Sequence, residues 1–104
     1  MTTLMIVARD SMTSELEKLL HDAGITAYSI VNNVMGTGRT GKVKESFFDL
    51  GCTGRNLMIF AVLPSDQVDR AVSALKAFRE ARAQGAHGKS IPFKLFSFPC
   101  EELI

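Results

Sequence analysis

Residues 57–78 read LMIFAVLPSDQVDRAVSALKAF and decide the fold, because they join a strand to a helix within one short stretch. The first seven are apolar, which is the length and character of a buried strand. Pro64 ends this strand, and Ser65 is suited to cap the helix that follows. Beyond it, apolar side chains recur at helical spacing and predict an amphipathic helix, namely Val68, Val72, Leu75 and Phe78.

The same strand-then-helix pattern occurs at the start of the sequence. Residues 3–8 read TLMIVA and predict a strand. The helix is expected to start between Ser11 and Ser14, because Ser11 can cap it and Ser14 and Glu17 have the spacing of a capping box. Gly24 predicts its end, because glycine readily takes the left-handed conformation past a helix. The apolar face of this helix is predicted to contain Leu16, Leu19, Leu20 and Ala23.

A second strand and a long polar segment lie between these two units. Residues 25–35 predict the strand, and the polar pair Asn32 and Asn33 predicts a bulge in it. Residues 36–55 contain five glycines and six charged residues, which indicate a long loop or an extended hairpin tip. A loop of this length in a small domain usually carries function or is disordered.

The fourth strand completes a recognisable order of elements. Residues 91–98 read IPFKLFSF, and Phe96 and Phe98 are two apart, so both point to one side for core or intersubunit packing. The predicted order is βαββαβ. Right-handed crossovers place both helices on one face of a four-stranded antiparallel sheet. This is an α+β, ferredoxin-like fold with a long loop between strands two and three, and such a fold does not by itself define a function.

Composition excludes several classes of protein. The 104 residues predict a single domain, 1–104, and the net charge of +1 gives no field for nucleic acid or a membrane surface. No apolar run approaches the roughly 18 residues of a membrane-spanning helix. Residues 1–10 lack the pattern of a signal peptide, so we expect a cytoplasmic protein without membrane insertion.

Three local motifs together resemble the PII signalling proteins and their PII-like relatives. Residues 35–41 read MGTGRTG, similar to the GxGR segment that opens the family's T-loop. Residues 96–102 read FSFPCEE, similar to the family's FxFPxEE at the end of the last strand. Residues 24–26 look like the family's turn after the first helix. The order and spacing of these motifs, which span nearly the whole chain, are more specific than any one of them.

The resemblance implies a cytoplasmic homotrimer that binds an adenine nucleotide, ATP, ADP or AMP, in clefts between subunits. It also implies a regulator, not an enzyme, whose T-loop docks on a target protein such as a transporter or an enzyme. Carried over by position, the residues beside the nucleotide would be Gly36, Thr37, Gly38 and Arg39, with Gly88 and Lys89 near the phosphates as the glycine–lysine pair of the B-loop.

The chain also departs from the family pattern. Residues 84–89 read QGAHGK and lack the acidic residue usual in the B-loop. Thr40 replaces the glutamine that usually follows GxGR, and the basic residues that follow the last strand in classical members are missing. The loop contains no tyrosine, which excludes uridylylation of the usual kind. These differences indicate a divergent PII-like protein.

The residue types in the predicted loop, residues 36–55, indicate a chemical role independently of the family resemblance. Glycines at 36 and 38 let the backbone approach a ligand closely, and exposed amides in such a turn can bind an anion. Arg39 can hold phosphate in bidentate fashion. Alternatively, the two glycines serve only a strand exit with unusual dihedral angles. The residues expected to contact a partner are Lys42, Lys44, Phe47, Phe48 and Arg55, although the phenylalanines can instead pack within the protein.

An enzyme and a metal-binding protein are the two alternatives to a regulator. Catalysis needs a nucleophile with a base, paired carboxylates or a metal site, and no spacing in the sequence links such groups. A trimeric metal-binding protein resembling the CutA group is the second alternative. It would use Cys52, Cys100, His21 or His87, which show no recognisable ligand spacing.

Overall fold

The computed structural model describes residues 1–34, 56–85 and 93–104, and they form four strands and two helices in the predicted order. The elements are β1 (Thr2–Arg9), α1 (Thr13–Asp22), β2 (Ser29–Val34), β3 (Asn56–Leu63), α2 (Ser65–Gly85) and β4 (Phe93–Pro99). A short 3-10 turn, Asp10–Met12, leads from β1 into α1.

The four strands form one antiparallel sheet in the order β2-β3-β1-β4. Ile6 in the middle of β1 is paired with Ile59 of β3 on one side and with Leu95 of β4 on the other. The two strands that follow the helices, β2 and β4, are therefore the outer strands. This confirms the ferredoxin-like arrangement.

The core lies between the sheet and the two helices. Leu4, Ile6 and Ala8 of β1 alternate with residues that point to the opposite side, and they pack in the same cluster as the buried residues of both helices. From the helices, the fully buried side chains are Leu16 and Leu20 of α1 and Ala71 and Leu75 of α2. Because all of these residues share one cluster, both helices cover the same face of the sheet, as predicted.

The start of α1 lies within the predicted range, between Ser11 and Ser14, but the predicted caps are not used. The helix starts at Thr13, its N-cap position is occupied by Met12, and neither Ser11 nor Ser14 caps it. The hydroxyl of Thr13 instead donates to the carbonyl of Asp10 at 2.6 Å, within the 3-10 turn. The 3-10 turn connects β1 to the helix without a side-chain cap, so the predicted capping box is wrong. Likewise, Ser65 is the first residue of α2, and the Pro64 carbonyl before it accepts the first helical hydrogen bond.

The end of α1 confirms the role predicted for Gly24. Its φ is +85°, its N–H donates to the His21 carbonyl at 2.9 Å, and the Ile25 N–H donates to the Leu20 carbonyl at 2.8 Å. This pair of hydrogen bonds is a Schellman motif, which satisfies the last carbonyls of the helix. Ile25 then enters the core with 1% of its surface exposed.

Strand β2 is shorter than predicted, since residues 25–28 lie outside it. Ile25 belongs to the end of α1, and Tyr28 turns back to that helix, where its hydroxyl donates to Oε1 of Glu17 at 2.8 Å. The predicted bulge is confirmed: the pairing with β3 shifts between Val31 and Val34, and Asn33 has a φ of 59°. At the other edge, β4 begins at Phe93 and residues 91–92 lie outside the described residues.

Replacing Tyr28 with phenylalanine is expected to lower the free energy of unfolding by about 1 kcal/mol through loss of the bond to Glu17. Burial raises the pKa of Tyr28 above 10.0, and Glu17 raises this pKa further. The folded protein thus holds the phenolic proton more tightly, so this stabilisation is present below pH 10 and is lost as the pH rises through the folded pKa. The difference in the free energy of unfolding between the parent protein and Tyr28→Phe should therefore narrow as the pH rises from 10 through the folded pKa of Tyr28.

The sequence offers a direct measurement, because it contains a single tyrosine and no tryptophan. Absorbance near 295 nm therefore follows the ionisation of Tyr28 alone. A titration midpoint that is no higher in the folded protein than in urea would contradict the assigned contact.

Candidate ligand site at one end of the sheet

The sheet brings two glycine-containing segments of the chain to the same end. Arg9 ends β1 and is paired with Asn56, which begins β3 and is also paired with Val34 at the end of β2. Phe93 begins β4 and is paired with Ala8, next to Arg9. We call this the loop end of the sheet. Residues 35–55 leave and return at the loop end, and residues 86–92 reach β4 there.

The two segments meet the sheet at opposite edges of the loop end. Residue 35 follows β2, and residue 92 precedes β4, and these are the two outer strands. Adjacent strands lie about 4.8 Å apart, so three spacings separate the two outer strands by about 14 Å. Within one chain, the points at which these two segments join the outer strands are therefore far apart.

The bulge in β2 lies where residues 35–55 begin. Asn33 takes a left-handed conformation two residues before the segment starts. A bulge bends its strand, increases the local twist and changes the direction of the chain that follows. The bulge therefore bends the end of β2, from which residue 35 continues.

Two cations lie at the loop end on the side of the sheet away from the helices. Arg9 follows Ala8, a core residue, so the alternation of β1 directs Arg9 to the helix-free side. Lys94 is paired with Val7 and follows Phe93, a core residue, so it lies on the same side. Both are half-buried. Neither was predicted from the sequence, although Lys94 is the one charged residue within β4.

The rest of the helix-free side is mostly apolar, with Thr3 and Ser29 as polar exceptions. Three of its side chains remain substantially exposed: Val31 at 46%, Val62 at 48% and Phe98 at 43%. Phe60 and Phe96 are half-buried and lie on either side of Met5, to which both are paired. We call this surface the apolar face and define it by Met5, Val31, Met58, Phe60, Val62, Phe96 and Phe98. Large apolar side chains that are exposed together on one face of a small domain favour contact with another protein surface.

The residues predicted from motifs lie outside the described residues. These are Gly36, Thr37, Gly38, Arg39, Gly88 and Lys89 for the nucleotide, and Lys42, Lys44, Phe47, Phe48 and Arg55 for a partner. What the structure defines is where their segments join the sheet. Phe96 and Phe98 are described, and they share one side as predicted.

Of the four residues expected in the metal-binding alternative, the structure describes His21 and Cys100, which lie on separate parts of the fold. Cys52 and His87 lie outside the described residues. His21 is on α1, edge-on to the ring of Tyr28, whereas Cys100 follows β4 and its N–H donates to the Met1 carbonyl. In the described part of the chain, no three His, Cys, Asp or Glu side chains come together as a metal site. That part of the chain gives the CutA-like alternative no support.

The chain belongs to the Nitrogen regulatory protein P-II family, whose model matches residues 1–102. This confirms the resemblance drawn from the motifs and places the protein among regulatory proteins. A comparison with curated protein sequences gives no match. Neither helix that the structure describes is long and apolar enough to cross a membrane.

Several solved structures of CPII, a nitrogen regulatory PII-like protein from Thiomonas intermedia K12, share the fold. CPII bound to ADP, AMP and acetate has a TM-score of 0.62 and 22% identity, over 92% of this chain and 81% of CPII. CPII bound to ADP and bicarbonate has a TM-score of 0.63 and 23% identity, over 93% and 82%. The apo form has a TM-score of 0.63 and 22% identity, over 93% and 85%.

Proposed function

We propose that this protein is a cytoplasmic PII-like regulator that assembles as a homotrimer, binds an adenine nucleotide between subunits and controls a partner protein through residues 36–55. It acts by binding and does not catalyse a reaction. The observation that carries the proposal is the position of the two glycine-containing segments, which meet the sheet at one end but at opposite edges.

That position favours a site shared by two subunits. Residues 35–55 leave the sheet from the β2 edge and residues 86–92 join it at the β4 edge, and these two edges are about 14 Å apart across the sheet. If the β2 edge of one subunit lies beside the β4 edge of the next, both segments face the same cleft. Each subunit then contributes one wall to each of two clefts, and a trimer has three equivalent sites.

Within this cleft, the residues have distinct roles. The backbone at Gly36, Thr37 and Gly38 provides amides for an anion, and Arg39 provides a bidentate charge. Gly88 and Lys89 approach the phosphates from the other wall. Arg9 on β1 and Lys94 on the neighbouring outer strand β4 add positive charge at the loop end on the β4 side of the sheet, which favours an anionic effector.

The apolar face supports the trimer. A domain of this size buries a limited share of its surface alone, and further burial through assembly adds stability. The exposed parts of Val31, Val62 and Phe98 lie on one side of the sheet, so the same side of each subunit can be buried against the others. A trimer with the helices outside and the apolar faces inside achieves this.

The proposed effector is ADP, ATP or AMP. CPII, which has the same fold, binds ADP with AMP or with bicarbonate, and this makes an adenine nucleotide the first ligand to test. Binding would order the base of residues 36–55. The partner, a transporter or an enzyme, would then contact Lys42, Lys44, Phe47, Phe48 and Arg55.

Calorimetric titration of the full chain with ATP, ADP, AMP and cyclic AMP tests this proposal, with and without bicarbonate. We expect micromolar binding of at least one nucleotide, with one site per chain and no turnover. Variants of the proposed site, such as Arg39→Ala, are compared with Lys18→Ala as the matched control. Lys18 is an exposed cation on α1 paired with Asp22, away from the loop end. Absence of binding by all four nucleotides, with bicarbonate present or not, would refute a nucleotide effector.

A further inference from the structure

A shallow groove of about 130 Å³ lies between α2 and the outer strand β4, on the helix side of the sheet. Its floor is apolar, since Phe93 is buried and Leu95 is half-buried. Lys76 and Arg79 of α2 border the groove, and both are exposed. Within the described part of the chain, neither cation has an ion-pair partner. The helix side of the β4 edge therefore presents an apolar surface bordered by two positive charges.

The helix side of the β2 edge carries the complementary groups. Tyr28 precedes β2, and its hydroxyl donates to Oε1 of Glu17 at 2.8 Å, so Glu17 lies on the side of α1 nearer this edge. Glu15 lies on the other side of α1, where its carboxylate pairs with Arg82 of α2 at 2.9 Å. Ile30 of β2 packs against the core and is half-buried. The β2 edge therefore presents a carboxylate beside an apolar side chain.

The register of the sheet places the apolar side chains of the two edges at one height. Ile30 of β2 is paired with Ile59 of β3. Ile6 of β1 is paired with Ile59 on one side and with Leu95 of β4 on the other, so the four residues form one row. In the proposed trimer all three loop ends lie at the same end, so the threefold axis runs along the strands and rotation keeps each residue at its height. Ile30 of one subunit therefore comes beside Leu95 of the next.

The two helices place the charged groups at one height as well. The ion pair between Arg82 and Glu15 joins α2 to α1 and makes these two residues level. α1 runs away from the loop end and α2 runs toward it. At the helical rise of about 1.5 Å per residue, Glu17 lies about 3 Å and Arg79 about 4.5 Å further from the loop end than this pair. Glu17 and Arg79 are therefore level to within about 2 Å, on the outer flanks of the helix pair.

We propose that the groove receives the β2 edge of a second copy of this chain, with Arg79 of one subunit bound to Glu17 of the next and Leu95 packed beside Ile30. This contact rests on the proposed trimer, whose apolar faces meet on the opposite side of the sheet. The Tyr28 hydroxyl occupies one oxygen of the carboxylate, which leaves the other for the guanidinium. Opposite charges at the two edges make the contact selective for another copy, because a like-charged edge is repelled.

Site-specific cross-linking tests the position of the contact. The full chain with Cys52→Ser and Cys100→Ser receives one thiol at each edge through Glu17→Cys and Arg79→Cys. The two thiols of one chain lie on the outer flanks of two helices, so a short bis-maleimide can join them only between chains. We expect covalent dimers and trimers on a denaturing gel. A chain with either cysteine alone should remain monomeric on the gel, because the contact joins two different surfaces.

Charge reversal tests the ion pair. Arg79→Glu should raise the dissociation constant of the trimer by at least about tenfold, because it places two carboxylates together at each of three boundaries. The effect should shrink in high salt. Adding Glu17→Arg to the same chain should restore most of the lost affinity. Lys18→Glu makes the same change of charge at an exposed position on α1 and should leave assembly within about twofold of the parent. Sedimentation velocity over a dilution series measures all four proteins.

The outcomes separate this contact from the trimer itself. A protein that is trimeric by sedimentation but gives no cross-linked chains overturns the contact and leaves the proposed function standing. Equal weakening of the trimer by Arg79→Glu and Lys18→Glu has the same meaning. A parent protein that stays monomeric at every concentration overturns both. Glu15→Cys with Arg82→Cys is the positive control for the reagent, since this pair should cross-link within one chain.

Discussion

Replacing Arg39 with alanine is expected to lower the affinity for the bound nucleotide by about 10- to 100-fold. The reason is that a hydrogen bond to a charged group contributes about 1.5–3 kcal/mol, and the guanidinium would make such bonds to phosphate. Lys89→Ala should have a similar effect from the opposite wall of the cleft. Calorimetry measures both, with Lys18→Ala as the control that should leave the affinity unchanged.

Mixed trimers distinguish a shared cleft from a site within one chain. Arg39 and Lys89 are proposed to act on the same nucleotide from different subunits. When Arg39→Ala chains are denatured and refolded together with Lys89→Ala chains, some clefts receive both intact walls. Those clefts should bind nucleotide with the affinity of the parent protein. If mixing restores no tight sites although mixed trimers form, the two residues act within one chain and the shared cleft is wrong.

Phe60→Glu is expected to convert the proposed trimer to a monomer. Phe60 lies on β3 in the apolar face, opposite Met5 and Ser29, and assembly would bury a carboxylate there without a partner. Removing an ionised carboxylate from water without compensation costs several kcal/mol. That cost exceeds the contribution of a single apolar contact. Sedimentation velocity measures the change in mass, and far-ultraviolet circular dichroism reports whether the subunit remains folded.

Two further variants help to interpret the result for Phe60→Glu. Ala77→Glu is the matched control, because Ala77 is exposed on α2, and it should leave the trimer intact. Phe98→Ser is a milder change at a side chain that is 43% exposed, and it should weaken assembly without unfolding the subunit. A trimer that persists with Phe60→Glu would show that the apolar face is not the assembly surface.

Most of the fold could be predicted from the sequence because the apolar residues have clear periods. The run at 57–63 and the helical spacing from Val68 to Phe78 correspond to β3 and α2, and Gly24 ends α1 as predicted. The errors occur where tertiary contacts outweigh local preference. Residues 25–28 are not part of β2, because Ile25 completes the end of α1 and Tyr28 bonds to Glu17.

The candidate site was only partly predictable. The glycine-rich segments have local motifs, and these led to the P-II family, which the family model confirms. Which segments share an end of the sheet depends on strand order and register, and no single stretch of sequence contains that information. Arg9 and Lys94 were missed for this reason: each is an ordinary isolated charge until the pairing of β1 with β4 places both at the loop end.

Native mass spectrometry of the full chain with and without ADP tests the central claim most directly, since it counts subunits and ligands together. We predict a trimer that binds up to three ADP molecules. Monomers of Phe60→Glu should bind ADP much more weakly than the trimer does, because each cleft needs two subunits. A monomer that binds one ADP as tightly as the trimer would contradict the account.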